Sequence, residues 1–575
     1  MSRRQVSGLP AKTIRGYDRY VSVIRTRPTA RTVSVGVLLG VLLSVGVNVP
    51  VSAAKAAPTP SADATVAQVR VPALPSTQPQ APDSRGEISG LRWRPCPISG
   101  FPTLQCGTLL VPYDYSQPNG PRFALAVSKV PATGRRTGSL FFNPGGPGGA
   151  GTSAVVGLSN LMPPVVRARF DLVSWDPRGI GSTRPALKSC LEPRLVLPAS
   201  GVVDWPAARA ASAVVAAAAN RSCQVHNSEF VNHMGTNNAA RDLDRLRAAV
   251  GDRKLTYWGL SYGTRIGYVY ALMFPNRIRA MVLDGNIDPK SNYAGLTEGG
   301  VALDSALRFM SSVSAPTYAA ILAMVNGLDA APIPLGSGKF YTRWNYLTTM
   351  SGAIPSESSW PYVIGYNRRI ETARLNTPEG AKERALLLAS LGASDGNLGG
   401  AFSVVNCLDY ADRMSANAQN AAISRNAAVA PVFGGFITAE YALGCSGLSL
   451  RPDPVPTTRT AANRARIANL PVVIANATND GATPMFWALQ MRASFARGVL
   501  LKYTGAQHGL WMLTPSTCIN NRITSYFVSL AKPDPVLCPF APPPNPPRIS
   551  RQPAEDQPPD VAVTRPLVTA ARRSS

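Results

Sequence analysis

The side chains in this sequence best suited to chemistry are a serine between two glycines, three histidines and a few acids at the ends of apolar runs. Gly259-Leu260-Ser261-Tyr262-Gly263 fits G-x-S-x-G, a strand-to-helix turn that exposes a serine hydroxyl while small neighbours let the chain fold back. A serine hydroxyl is a weak nucleophile until a base takes its proton, so Ser261 needs a histidine and a carboxylate to orient it. The chain has only His226, His233 and His508. The first two precede the elbow, close to Cys223, where a solvated or packed role is expected. His508, in "GAQHGL", lies in a glycine-flanked loop after a strand-like run, and Asp480, in "ATNDGATP", ends the run before it. Taken singly, Asp480 reads as a turn or helix-cap residue and His508 as a surface histidine. With the elbow they form a set: Ser261 as nucleophile, His508 as base and Asp480 as its orienting acid. Acyl transfer also needs fixed donors for the oxyanion, and "NPGGPGGAG" offers a loop whose glycines allow close approach. The N–H groups of Gly146 and Tyr262 are the expected donors. As a phosphate cradle the loop lacks the G-K-[ST] ending.

These residues work only if the elements around them converge. "GSLFFNPGG" and "RFDLVSWDPRGIG" read as strands ending in glycine-rich turns, and "NNAARDLDRLRAAVG" has helical spacing up to Gly251. "KLTYWGLSYG" is a strand entering the elbow, "TRIGYVYALMFPNRI" the helix leaving it, and "RAMVLDGNID" the next strand. Strand signals return in "LPVVIANATNDGATP" and "GVLLKYTGAQHGLW". Such alternation predicts a mostly parallel sheet with helices on both faces and its working loops at the carboxyl ends of the strands. The order Ser261, Asp480, His508 is that of the α/β-hydrolase fold, which is the expected fold class. The expected organisation is a first core part over 91–288, an inserted, mainly helical cap over 289–469, and a second core part over 470–541. Before it stand a signal peptide over 1–56 and a Pro/Ala-rich linker over 57–90; a disordered tail over 542–575 follows. In "DPRGIG", Asp176 and Arg178 read as a structural pair bracing the loop beside the oxyanion turn. Thr483 reads as a helix cap or as support for the acid loop.

The 575 residues are 45% hydrophobic and 16% charged, enough for a large core. The formal charge of +26 comes from scattered basic residues rather than clusters with aromatics, which argues against nucleic-acid binding. It is compatible with loose attraction to an anionic cell envelope, or simply with solubility. A cationic flank, the uncharged run "VSVGVLLGVLLSVGVNVPVSA" and small residues near Ala54-Lys55-Ala56 have the layout of a secretory signal, with a retained membrane anchor as the competing reading. The eight cysteines follow this segment, an even count that fits an oxidising compartment. Eight cysteines allow 105 pairings. Their spacing favours four local couples: Cys96 with Cys106, Cys190 with Cys223, Cys407 with Cys445, and Cys518 with Cys538. None has C-x-x-C spacing, so no zinc site and no cofactor is expected.

The strings "NPGGPGGAG", "SWDPRGIGST", "YWGLSYGTRIGYVYALMFP", "MVLDGNIDP", "NDGATP" and "GAQHG", in this order, resemble secreted actinobacterial hydrolases related to tripeptidyl aminopeptidases, and more distantly proline iminopeptidases. The resemblance spans about 90 to 540 and implies the triad Ser261, Asp480 and His508 with an oxyanion hole from Gly146 and Tyr262. Proline iminopeptidases carry a histidine before this glycine loop where Pro144 stands here, so their substrate preference does not transfer. The leading expectation is a secreted serine peptidase releasing short peptides from free N-termini. The alternatives are a carboxylesterase or lipase acting on acyl esters, which the same triad serves, and a catalytically silent envelope-binding protein. An enzyme that measures from a free N-terminus needs a carboxylate for the ammonium. Asp409, held near Cys407, is the expected substrate-binding acid, with Asp412 and Glu440 as rivals.

Overall fold

The computed structural model describes residues 91–96, 101–191, 195–198, 201–391, 398–458 and 460–543. The expected signal peptide and linker, and the tail from 544 on, lie outside them. Twelve strands are described: β1 (Arg94–Pro95), β2 (Gln105–Pro112), β3 (Arg122–Val130), β4 (Gly138–Asn143), β5 (Phe170–Trp175), β6 (Leu255–Leu260), β7 (Ile278–Asp284), β8 (Ile333–Gly336), β9 (Lys339–Tyr341), β10 (Val473–Ala477), β11 (Val499–Tyr503) and β12 (Val536–Cys538). Ten of them form one sheet in the order β1-β2-β3-β5-β4-β6-β7-β10-β11-β12. Pairing is antiparallel from β1 to β5 and parallel from there to β12. The parallel strands β5 and β6 are buried along their whole length and read as near-continuous apolar runs, as strands covered on both faces must.

From β4 the chain crosses to β5 on one side and then to β6 on the other, so the order reverses between β4 and β6, the switch point at whose carboxyl ends open α/β sheets place their ligand sites. The register brings the decisive loops to one edge. Asn143 at the end of β4 lies level with Gly259, Leu260 with Asp284, Ala475 with Asp284, and Ala477 with Tyr503. The glycine loop, the elbow and the loops carrying Asp480 and His508 therefore leave the sheet side by side.

Between β7 and β10 the chain forms a mainly helical insertion, here called the cap, whose only described strands are the hairpin of β8 and β9. Its apolar residues, among them Leu307, Met310, Leu347, Ile370 and Phe433, form a cluster of their own. Trp205, Ala208 and Ala216 of the helix Trp205–His226, which precedes the elbow in sequence, belong to that cluster. Conversely, Val404, Cys407 and Leu408 of the cap helix Leu398–Asp409 pack in the sheet's own core. Disulfides join Cys96–Cys106, Cys190–Cys223, Cys407–Cys445 and Cys518–Cys538, the four local couples expected from spacing. Among the described residues no helix is long and apolar enough to cross a membrane.

Candidate active site

Ser261 directly follows β6 with φ 56° and ψ −122°, a conformation that side chains rarely adopt and that costs on the order of 1–3 kcal/mol. The surroundings enforce it. A Cβ on Gly259 would come within 2.4 Å of the Gly263 carbonyl oxygen, and one on Gly263 within 2.8 Å of the Asn143 carbonyl oxygen, so only glycine lets the helix Tyr262–Met273 start so close to β4 and β6. The Ser261 N–H donates to the Asp284 carbonyl at 2.9 Å, and the Ser261 carbonyl accepts from the N–H and hydroxyl of Thr264. The turn is pinned on both sides. Its hydroxyl stays half-buried and makes no hydrogen bond among the described residues.

The glycine loop rides directly on this turn. A Cβ on Gly145 would lie 2.7 Å from Ser261 Cβ and 3.2 Å from the Tyr262 nitrogen. Gly145 donates its N–H to Asn143 Oδ1, whereas the N–H groups of Gly146 and Tyr262 have no acceptor among the described residues. Two unpartnered backbone donors flanking a strained serine are what a developing oxyanion requires.

Asp480 and His508 meet beside the elbow. His508 Nδ1 lies 2.9 Å from Asp480 Oδ1 and 3.0 Å from Oδ2, so the Nδ1 proton faces the carboxylate and Nε2 is left with its lone pair. Asp480 also accepts from the N–H groups of Ala482 and Thr483 and from the Thr483 hydroxyl, which fixes the carboxylate plane. The imidazole packs over Gly285, where a Cβ would meet it at 3.0 Å; Gly285 directly follows the residue that anchors Ser261. No hydrogen bond joins Ser261 to His508 in this arrangement, and such contacts often tighten only with substrate bound. Burial pushes the His508 pKa down, but the charge of Asp480, its hydrogen bond and the charge of Asp284 outweigh burial, and the net shift is upward.

Two expectations need correction, and a third resolves to one of its two readings. Asp409 does not face a cleft: it is buried, accepts from the Thr236 N–H and hydroxyl, and forms an ion pair with Arg265 Nη1 at 2.9 Å. With both oxygens engaged it has no face for an ammonium; it holds the elbow helix instead, since Arg265 lies one turn after Ser261 and the Thr236 hydroxyl also meets the Tyr262 hydroxyl at 2.7 Å. Of its rivals, Asp412 accepts from the Tyr293 N–H. Arg178 is buried and paired, but its partner is Asp242 rather than Asp176, at 2.7 and 2.8 Å. Asp176 braces the glycine-loop side by accepting from the N–H groups of Thr152 and Ser182. Thr483 does not cap the next helix, whose N-cap is Pro484, and it supports the acid loop. His226 is exposed and bonded to the Ser222 carbonyl, and His233 stacks on Tyr113, the solvated and packed roles expected of them.

Two contributors gave little signal in the sequence. Asp284 accepts from the N–H groups of Leu510 and Trp511 and from Trp258 Nε1, and burial lifts its carboxyl to about 6. It ends β7 in "VLDGN", so an acid at the carboxyl end of a strand was the available cue. Glu357, in the cap, offered none. Among the described residues no group of three or more His, Cys, Asp or Glu is placed to hold a metal ion.

Residues 138–310 match the family described as alpha/beta hydrolase fold, and residues 430–538 match the family described as TAP-like protein. The chain is 31% identical to serine protease Hip1 of Mycobacterium tuberculosis over 474 residues, covering 76% of this chain and 88% of that protein. It is 28% identical to tripeptidyl aminopeptidase of Streptomyces lividans, covering 78% and 86%, and 28% identical to carboxylesterase B of Mycobacterium tuberculosis, covering 74% and 84%.

Proposed function

The chain belongs to the α/β-hydrolase family that includes serine protease Hip1 and tripeptidyl aminopeptidase, and from that premise we propose that Ser261, His508 and Asp480 are the catalytic triad of a peptidase releasing short peptides from free N-termini. The observation that carries this reading is the convergence of a strained serine whose hydroxyl has no hydrogen-bond partner among the described residues, a histidine bonded through Nδ1 to a buried acid, and two N–H groups likewise unpartnered among them. In the proposed cycle Ser261 Oγ attacks the peptide carbonyl as His508 Nε2 takes its proton. The tetrahedral oxyanion accepts from Gly146 and Tyr262 N–H. Collapse breaks the C–N bond, with the proton passing from His508 to the leaving amine, and leaves an acyl-serine that water, activated by the same histidine, hydrolyses. Asp480 keeps the imidazole in the productive tautomer and stabilises its cation.

Four disulfides are consistent with an extracellular protein. The further reading is that residues 1–56 direct export, that 57–90 are a linker ahead of a core of 91–288 and 470–541 with its cap of 289–469, and that the excess positive charge gives loose attraction to an anionic envelope.

Labelling tests the nucleophile. A fluorophosphonate is expected to modify Ser261, located by peptide mass spectrometry, and Ser261→Ala is expected to lose at least roughly 10³-fold in kcat/KM on a tripeptide anilide. Adduct on another serine, or near-full activity of the variant, refutes the assignment.

A further inference from the structure

The loop that carries His508 is gripped from two directions by buried carboxylates. On the core side Asp284 accepts the consecutive N–H groups of Leu510 and Trp511 at 2.8 and 2.9 Å. On the cap side Glu357 Oε1 accepts the consecutive N–H groups of Ala506 and Gln507 at 2.8 and 3.2 Å, while its Oε2 accepts from the Tyr503 hydroxyl at 2.9 Å. Two further bonds tie the same segments: the His508 N–H donates to the Pro355 carbonyl at 2.7 Å, and the Glu357 N–H donates to Gln507 Oε1 at 2.9 Å. Two residues of the cap, Pro355 and Glu357, thus hold the three residues ending at His508. A Cβ on Gly505 would lie 2.4 Å from Glu357 Oε1, so the loop is shaped to receive that carboxylate.

We propose that Glu357 is a positioning residue for His508, the cap half of a two-carboxylate clamp whose core half is Asp284, so that the placement of the cap and the alignment of the base are one event. The inference rests on His508 being the base. Glu357 is 2% exposed, and burial lifts its carboxyl to about 7 despite its three donors. A carboxyl there carries a desolvation cost that an apolar side chain would avoid, which is expected where the group sets geometry rather than stability. The two clamps sit on opposite sides of His508 in sequence and come from different parts of the chain. Neither alone fixes the imidazole's approach to Ser261.

The test uses the full-length enzyme and reads three quantities: the rate of fluorophosphonate labelling, kcat and KM on a tripeptide anilide with a free N-terminus, and the melting temperature. Glu357→Ala leaves two buried N–H groups without acceptors and loosens the loop, which keeps only its backbone bond to Pro355, the bond from the residue 357 N–H to Gln507, and the Asp284 side of the clamp. It is expected to slow labelling and kcat at least about tenfold while KM stays within about threefold. Glu357→Gln keeps the oxygen facing Ala506 and Gln507, and its amide can donate to the Tyr503 hydroxyl, so it should return both rates to within about threefold of wild type. If Glu357→Ala does not fold, Glu357→Asp, one methylene shorter, is expected to show the same loss in kcat. A folded Ala or Asp variant with wild-type labelling rate overturns the proposal, as does a Gln variant no faster than Ala. His508→Ala separates the two levels of the reading. Labelling that survives its loss refutes the base, whereas labelling abolished there but untouched in the Glu357 variants refutes only the clamp.

Discussion

At the scale of single residues, the base sets how the enzyme responds to pH. In the proposed triad His508 must be neutral to accept a proton from Ser261. Burial lowers its pKa, but Asp480 and Asp284 raise it by more, so the neutral form is reached only above the ordinary histidine value of about 6.5. The sign follows: kcat/KM is expected to fall as pH drops, with a midpoint on the alkaline side of about 6.5, and a profile flat down to about pH 5 contradicts the assignment. The proposed triad could be picked out because the sequence leaves few choices: one elbow, three histidines, and an Asp and a His each in the loop after a strand, in the right order. Asp409 and Arg178 were misread for a common reason. Sequence shows that an acid or an arginine is present, but its partner is decided by helices that meet only in three dimensions. Arg265 lies 144 residues before Asp409, and Asp242 lies 64 after Arg178.

At the scale of elements, the Arg265–Asp409 pair ties the helix that leaves the elbow to the last turn of the cap helix Leu398–Asp409. Both side chains are almost wholly buried. Asp409→Ala leaves the guanidinium without its counter-charge and is expected to destabilise by about 3–5 kcal/mol. Asp409→Asn, which keeps an acceptor, should cost less. Urea unfolding measures both, and an Ala variant as stable as wild type refutes the bracing role. The strands next to the motifs could be read from their apolar runs and the turns that end them. The antiparallel β1 to β3 and the short β12 could not, because their mixed or brief patterns resemble loops until a neighbouring strand supplies hydrogen bonds. Nor could the sequence show that the helix Trp205–His226 would bury its apolar face among cap residues, since periodicity reports that a face is apolar but not what covers it.

At the scale of the whole molecule, a serine hydrolase carries its working loops on one edge of a mostly parallel sheet, a helical cap bonded to the histidine loop, and four local disulfides that are consistent with an extracellular protein. The disulfide couples were legible because each closes a short loop, and loops of 10, 33, 38 and 20 residues are the pairings that sequence proximity favours. The substrate is less legible, because one nucleophile and one oxyanion hole serve amides and esters alike, and relatives named as a protease, an aminopeptidase and a carboxylesterase are similar to this chain in sequence at 28–31% identity. The most direct measurement is kcat/KM for one peptide with a free N-terminus, the same peptide N-acetylated, and a p-nitrophenyl ester. A peptidase that recognises free N-termini should release a short peptide from the first and lose about 2 kcal/mol or more of transition-state stabilisation on the second. Equal turnover of free and acetylated peptide, or hydrolysis of the ester alone, contradicts it.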